Sequence, residues 1–182
     1  MLACHDLRTP LATVHGFAQT LVRMEGHDET TVRYLEMVDS ASAQIGELID
    51  ELSLGAKIEA GRYDPLLASA NTIELARAAA EELGTERVAV TGEGAPVEVD
   101  VVASQRAIAS LAQCALRHGG QERVELTVQG GELALAPITP ASAPVVLGED
   151  LRDLGAAIAV RLIRAQGGSV ALDGETLKVR LA

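Results

Sequence analysis

His5-Asp6-Leu7-Arg8-Thr9-Pro10-Leu11 opens the stretch of sequence that decides how the chain begins to fold. From its first leucine onward, apolar residues recur at alternating intervals of four and three positions: Leu7, Leu11, Val14, Ala18 and Leu21. This spacing predicts a helix over residues 1–25 with a narrow apolar seam, like a helix of a coiled coil. Pro10 predicts a loosened turn within it, and Gly26-His27-Asp28-Glu29 predicts its end.

A second helix is predicted from about residue 30 to residue 60, because the same spacing resumes after the break. Its seam consists of Val32, Leu35, Val38, Ser42, Ile45, Ile49 and Leu52. Two such helices joined by a short turn form an antiparallel hairpin. A lone hairpin buries little apolar surface, so we expect two chains to associate as a homodimer with a four-helix bundle.

The pattern changes after Gly61-Arg62-Tyr63-Asp64-Pro65 to shorter helices and strands. Periodicity, glycine turns and an Asn71 cap predict helices at 72–83, 104–118 and 151–166. They predict extended segments at 87–91, 97–101, 123–129, 132–136, 169–173 and 176–181. The predicted fold class is therefore α+β, with a two-helix antiparallel hairpin over residues 1–64 and a layered α/β sandwich over residues 65–182.

Composition excludes several classes of function. The 182 residues include 15 basic and 26 acidic side chains, for a net charge of −11, which argues against a nucleic-acid partner. The two cysteines, Cys4 and Cys114, are too few for a disulfide framework and fit a reducing compartment. No apolar run approaches the roughly 20 residues that span a bilayer, so we expect no membrane association and a cytoplasmic location.

The chemistry of the first helix centres on His5. The heptad pattern places His5 and Thr9 on a face away from the apolar seam, with Asp6 beside the imidazole. A neutral imidazole can attack phosphorus, a neighbouring carboxylate can fix its tautomer, and a threonine can hold a water or a phosphoryl oxygen. A lone His-Asp pair is nevertheless more often an ordinary pair of surface residues.

The full string of residues 5–11 favours a reactive histidine over an ordinary surface pair. Residues 5–11 closely resemble the phosphoacceptor box of bacterial sensor histidine kinases, and Lys57-Ile58-Glu59-Ala60-Gly61 resembles the exit from that family's second helix. The resemblance implies that His5 is phosphorylated and that Asp6 is its acid–base neighbour. It also implies that Thr9 positions hydrolytic water, and that residues 65–182 form a histidine-kinase-type ATP-binding-like sandwich.

The nucleotide-binding motifs of that family are altered in this sequence. Ser110 and Cys114 stand where the resemblance puts two asparagines, and residues 134–144 stand where the adenine-binding aspartate motif would fall. Asp153 replaces the first glycine of a later glycine box and adds negative charge where phosphates would approach a helix N-terminus. We therefore expect no ATP and no other cofactor on this chain, with Mg²⁺ supplied at a receiver partner's site.

These observations predict a histidine phosphotransferase that relays phosphoryl groups between receiver aspartates through His5 in a phosphorelay. Its expected partners are a second copy of the chain, response-regulator receiver domains and a hybrid histidine kinase. Arg8, Ala12 and Gly16 share the side of His5 and form the predicted docking face for a receiver. Two alternatives stay open: a catalytic fragment of an ATP-dependent sensor histidine kinase, and a non-catalytic pseudokinase that binds and titrates receivers.

A metal site is not predicted from the sequence. Cys114 and His118 are four residues apart on a predicted helix and could touch one ion. Two ligands without a neighbouring pair are more often core and cap residues.

Overall fold

The first part of the chain is a helical hairpin. The computed structural model describes residues 2–24 and 26–182, with the side chains of residues 2–6 outside the description. Helix α1 spans Leu2–Val22 and contains Pro10, and helix α2 spans Glu29–Glu59. The residues up to Ala56 form one compact unit, and Lys57–Ala182 form another. None of the helices in the described ranges is both long and apolar enough to cross a membrane.

The apolar seam of the hairpin divides into two rows. The inner row holds the buried Ala18, Ser42 and Ile49, and the Ser42 hydroxyl donates to the Val38 carbonyl at 2.7 Å. The outer row is spaced by sevens on each helix and is between 36% and 57% exposed: Leu7, Val14, Leu21, Val38, Ile45 and Leu52. Two helices can cover each other along one row only, so the outer row remains an apolar stripe on the single chain.

The second unit combines seven strands with helices. In chain order its elements are β1 (Leu67–Asn71), α3 (Thr72–Leu83), β2 (Val88–Gly94), β3 (Pro96–Asp100), α4 (Val101–Gly119), β4 (Val124–Gly130), β5 (Glu132–Ala136), α5 (Ala143–Val146), α6 (Leu154–Ala165), β6 (Ser169–Asp173) and β7 (Thr176–Arg180). The main sheet has the order β2-β4-β5-β7-β6. Its β2–β4 pair is parallel and its other pairs are antiparallel, while β1 and β3 form a separate antiparallel pair.

The core of this unit lies between the main sheet and the helices. Strand β4 buries every second residue, at Val124, Leu126 and Val128, as expected for a strand with one covered face. Helix α4 packs against both α3 and α6 and buries Leu111 and Cys114 completely or nearly so. The helical hairpin and the mixed α/β unit together confirm the α+β fold class.

Several local features differ from the sequence prediction, among them the short helix α5, which was not predicted. Strand β1 was not expected, because it is only five residues long and ends in a polar side chain. It forms through antiparallel pairing with β3. Helix α4 begins at Val101 rather than residue 104, since the Asp100 carboxylate accepts from the Ala103 amide at 3.1 Å. Helix α6 begins at Leu154 rather than residue 151 because Asp153 caps it, which places this carboxylate beside α4.

Candidate functional site

The predicted phosphoacceptor segment lies in the first turns of α1. His5 and Asp6 belong to this helix, and their side chains fall outside the described residues. The helical backbone sets His5 and Thr9 four residues apart, which corresponds to neighbouring positions on one face. The roles of His5, Asp6 and Thr9 therefore stay predictions that rest on their placement in a continuous helix.

Arg8 connects this helix to the second helix of the hairpin. Its guanidinium donates a hydrogen bond to the Asp50 carboxylate, and the two side chains are 52% and 51% exposed. The pair joins residues 42 positions apart, so no local sequence pattern identifies Asp50 as the partner. Because both groups remain half in solvent, the Arg8 guanidinium can still be reached from outside.

The face predicted to receive a partner is open along α1. Ala12 and Gly16 are exposed, and a Cβ placed on Gly16 would meet no atom within 4 Å. Thr9 is also exposed, and its carbonyl accepts from the Thr13 hydroxyl at 3.2 Å. Small residues beside an exposed arginine allow a partner helix to approach closely, and the docking role of Arg8, Ala12 and Gly16 stays a prediction.

A second side-chain contact joins the two helices of the hairpin near the Gly16 end of this face. His15 Nδ1 lies 3.0 Å from the Asp39 carboxylate, and Gln19 Nε2 lies 3.1 Å from His15 Nε2. Together with the Arg8–Asp50 pair, this contact links the two helices at two positions along the hairpin. The helix that carries the His5 segment is therefore connected to α2 by polar side-chain contacts at two positions.

A different group of reactive side chains lies in the second unit, where α4 meets the start of α6. Cys114, His118 and Asp153 each offer a ligand atom, and these atoms all lie within 4.8 Å of one another. His118 Nε2 is 3.2 Å from Asp153 Oδ2, and Arg117 Nη1 is 3.5 Å from the same oxygen. Burial, reinforced by the Asp153 charge, raises the pKa of the Cys114 thiol to about 12.

From the sequence, Cys114 and His118 were considered together as possible ligands of one ion. Asp153 was considered only as a replacement for the first glycine of a glycine box. The three meet because the Asp153 carboxylate caps α6 through Oδ1, which accepts from the Ala156 amide at 3.1 Å, and so presents Oδ2 to α4. An Asp before an apolar helical run is a recognisable capping signal, whereas its contact with α4 depends on tertiary packing.

Comparison with known proteins matches the hairpin to a protein family. The family His Kinase A (phospho-acceptor) domain matches residues 3–61. A probable sensor histidine kinase of Mycobacterium tuberculosis, TcrY, is 30% identical over 87 residues, which are 48% of this chain and 18% of the length of TcrY. The chain thus spans only a small part of that relative.

Two solved structures share the fold. Full-length ShkA in complex with AMPPNP is 22% identical, covers 98% of this chain and 43% of its own, and gives a TM-score of 0.73. The Acinetobacter baumannii histidine kinase AdeS is 14% identical, covers 98% of this chain and 97% of its own, and gives a TM-score of 0.62.

These comparisons correct the predicted function. The histidine phosphotransferase interpretation is wrong: residues 3–61 match the His Kinase A (phospho-acceptor) domain, the relative TcrY is a probable sensor histidine kinase, and the histidine kinase AdeS shares the fold. The prediction gave most weight to single residues of the nucleotide motifs, such as Ser110 and Cys114. Those residues bear on one site, whereas the family match covers the whole hairpin and the likeness in fold covers nearly the whole chain.

Proposed function

Because residues 3–61 form a HisKA phosphoacceptor domain and the rest of the chain has a histidine-kinase-type ATP-binding-like fold, we propose that this chain is the catalytic part of an ATP-dependent sensor histidine kinase. The observation that carries the proposal is the phosphoacceptor box at residues 5–11, held in the continuous helix α1 and followed by a kinase-like unit. The AMPPNP complex of ShkA, which has the same fold, supports ATP as the phosphoryl donor.

In this proposal His5 is the nucleophile. A ring nitrogen of His5 forms a bond to the γ-phosphorus of ATP, the bond from that phosphorus to the bridging oxygen breaks, and ADP leaves. Asp6 holds the other ring nitrogen so that the attacking one keeps its lone pair. Arg8, half exposed at the same end of the hairpin, offsets the charge that develops on the phosphoryl oxygens.

We also propose that the active form is a homodimer. The outer seam row of six apolar residues, from Leu7 to Leu52, is left uncovered on a single hairpin. Pairing with a second copy covers this outer row as well and gives a four-helix bundle, which is the association that a heptad pattern on two antiparallel helices favours. In this proposal, dimerisation completes the hydrophobic core of the phosphoacceptor domain.

The proposed acceptor of the phosphoryl group is an aspartate of a response-regulator receiver domain in the cytoplasm. The exposed Ala12 and Gly16 leave room for a partner helix, and Arg8 adds a positive charge beside them. The receiver aspartate brings its own acidic pocket and Mg²⁺, so this chain supplies a positioned phosphohistidine and a docking face. A hybrid histidine kinase is a further candidate partner of the same chemistry.

A second candidate function, a pseudokinase that binds receivers without using ATP, is favoured by one feature of the second unit. The Asp153 carboxylate is about nine-tenths buried at the N-terminus of α6, where it already accepts the amide of Ala156. A carboxylate there opposes the approach of a phosphate to that helix end. The expectation that this chain binds no nucleotide stays a prediction and belongs to this candidate.

Incubation with γ-labelled ATP and Mg²⁺ separates the two candidates. The kinase proposal expects acid-labile label on the wild-type chain, none on His5→Ala, and full labelling of the matched control His27→Ala. A purified phosphorylation-competent receiver should then take the label from the wild-type chain. If the immobilised chain retains the receiver but takes up no label from ATP, the kinase proposal is contradicted and the pseudokinase proposal takes its place.

A further inference from the structure

The cluster of Cys114, His118 and Asp153 has the composition of a transition-metal site. Cys114 and His118 lie four residues apart on α4 and therefore project from the same face of that helix. Asp153 reaches them from the N-cap of α6, and one ligand atom from each residue lies within 4.8 Å of the other two. A thiol, an imidazole and a carboxylate are the three ligand types that zinc sites combine.

The burial of these groups distinguishes the cluster from a chance surface grouping. Cys114 is fully buried, and the side chains of His118 and Asp153 are only 19% and 10% exposed. Oδ1 of Asp153 is committed to the Ala156 amide, whereas Oδ2 faces His118 Nε2 at 3.2 Å. A buried carboxylate needs a compensating positive charge or hydrogen-bond donors, and a divalent ion would supply the charge directly.

We propose that Cys114 Sγ, His118 Nε2 and Asp153 Oδ2 bind one divalent transition-metal ion of the Zn²⁺ class. In a tetrahedral zinc site, ligand atoms at about 2.0–2.3 Å from the metal are roughly 3.5 Å apart, so small side-chain rotations close the described spacing. Three protein ligands leave one coordination position for water or another small ligand. This inference goes beyond the proposed kinase function and does not depend on it.

Binding involves a defined exchange of charges. The ion forms a bond to sulfur as the thiol proton leaves to solvent, so Cys114 binds as a thiolate. The Arg117 guanidinium, 3.5 Å from Asp153 Oδ2, gives up its ion pair to the metal. Its side chain is 60% exposed and can turn into solvent without being left buried. The bound ion would then join α4 to the start of α6.

Cobalt(II) is the probe for the test, because it occupies zinc sites and its bonds to thiolates absorb light. All proteins carry Cys4→Ser, so any thiolate absorption comes from Cys114. The full-length chain, freed of metal with a chelator, is titrated with CoCl₂ and then with ZnCl₂. We expect one Co²⁺ per chain with a thiolate charge-transfer band, displacement of that band by Zn²⁺, and a zinc-dependent rise in melting temperature.

The ligand variants and a matched control decide the assignment. Cys114→Ser should abolish the band, and Asp153→Asn, which keeps an Oδ1 acceptor for the α6 cap, should weaken binding by more than about tenfold. Asp173→Asn removes the same charge from an exposed strand residue and should leave affinity unchanged. Circular dichroism checks that each variant is folded. Cobalt binding without a thiolate band, unchanged affinity in folded Asp153→Asn, or no binding at a large excess of Co²⁺ would each overturn the proposal.

Discussion

The guanidinium of Arg8, three residues after His5, donates a hydrogen bond to the carboxylate of Asp50 on the opposite helix of the hairpin. The pair therefore engages a positive charge that lies within one helical turn of the proposed phosphoacceptor in sequence. Because both side chains are about half exposed, their ion pair contributes little to stability, on the order of 0–1 kcal/mol, and Arg8 can exchange Asp50 for a phosphoryl group.

Substitutions at the two ends of this pair should have different effects on the phosphorylation rate of His5. Arg8→Ala removes the charge and should slow label incorporation by about an order of magnitude, since a donor to the transferring group is lost. Asp50→Asn weakens the competing partner and should leave the rate unchanged or raise it. Single-turnover labelling with ATP measures both, and a comparable loss of rate in both variants would mean that the pair acts only through the hairpin.

A charge in the outer seam row should separate the proposed dimer. Ile45→Asp places a carboxylate where two hairpins would meet, so its burial in the bundle becomes strongly unfavourable. Analytical ultracentrifugation should give about 38 kDa for the wild type, which is twice the chain mass of 19.0 kDa, and a monomer for the variant. The neighbouring control Gln44→Asp should stay dimeric. A wild-type chain that is monomeric at micromolar concentration would contradict the four-helix bundle.

The turn of the hairpin depends on Asp28, which caps α2. Its carboxylate accepts from the Thr31 amide and from the Thr31 hydroxyl, both at 2.9 Å, and the amide hydrogen bond is the main reason that the Asp28 pKa is lowered. A lowered folded-state pKa means that the stabilisation is present above the unfolded pKa and is lost as pH falls through the folded one. Asp28→Ala should therefore melt earlier than wild type at neutral pH.

The pH profile of that difference is the specific check. Thermal melts of wild type and Asp28→Ala should converge as the pH falls below the ordinary range of an aspartate. Asp28→Asn, which can still accept from the Thr31 amide, should lie between the two at neutral pH. A difference that persists unchanged at low pH would show that the carboxylate charge is not responsible.

Burial of Cys114 should make the second unit sensitive to alkali. Its pKa is raised to about 12, first by desolvation, so the folded state holds the thiol proton more tightly than the unfolded state. The stabilisation is complete below the unfolded pKa and is lost as pH rises towards the folded one. In the presence of a chelator, the free energy of unfolding of wild type should fall relative to Cys114→Ala above the ordinary thiol pKa.

Burial also raises the pKa of Tyr63. Because wild type and Cys114→Ala both contain Tyr63, its effect on the free energy of unfolding cancels in their difference. A constant difference between wild type and Cys114→Ala across the alkaline range would contradict the protonated, buried thiol. Cys114→Ala should also be less stable at neutral pH, because a fully buried sulfur is replaced by a smaller side chain.

Local patterns were sufficient for much of the fold. The heptad spacing predicted both hairpin helices, Asn71 was identified as the cap of α3, and Gly130-Gly131 marked the turn between β4 and β5. Each of these signals is carried by residues that are neighbours in sequence. The sequence therefore predicted the class α+β and the order of most elements.

The remainder depends on contacts between distant residues. Strand β1 exists through its pairing with β3, Asp50 meets Arg8 across 42 positions, and Asp153 reaches Cys114 only when α4 and α6 pack together. The division of the seam into two rows likewise follows from helix packing, since the spacing of Leu7, Val14 and Leu21 is the same whichever row is covered. No single stretch of sequence contains such information.

Intact-protein mass spectrometry after incubation with ATP and Mg²⁺, under neutral conditions that preserve phosphohistidine, tests the kinase proposal most directly. The account predicts a gain of one phosphoryl group on the wild-type chain, fragment ions that assign it to His5, its loss on brief acid treatment, and no gain on His5→Ala. An unmodified wild-type chain under conditions that phosphorylate a control histidine kinase, or a phosphoryl group on any residue other than His5, would contradict it.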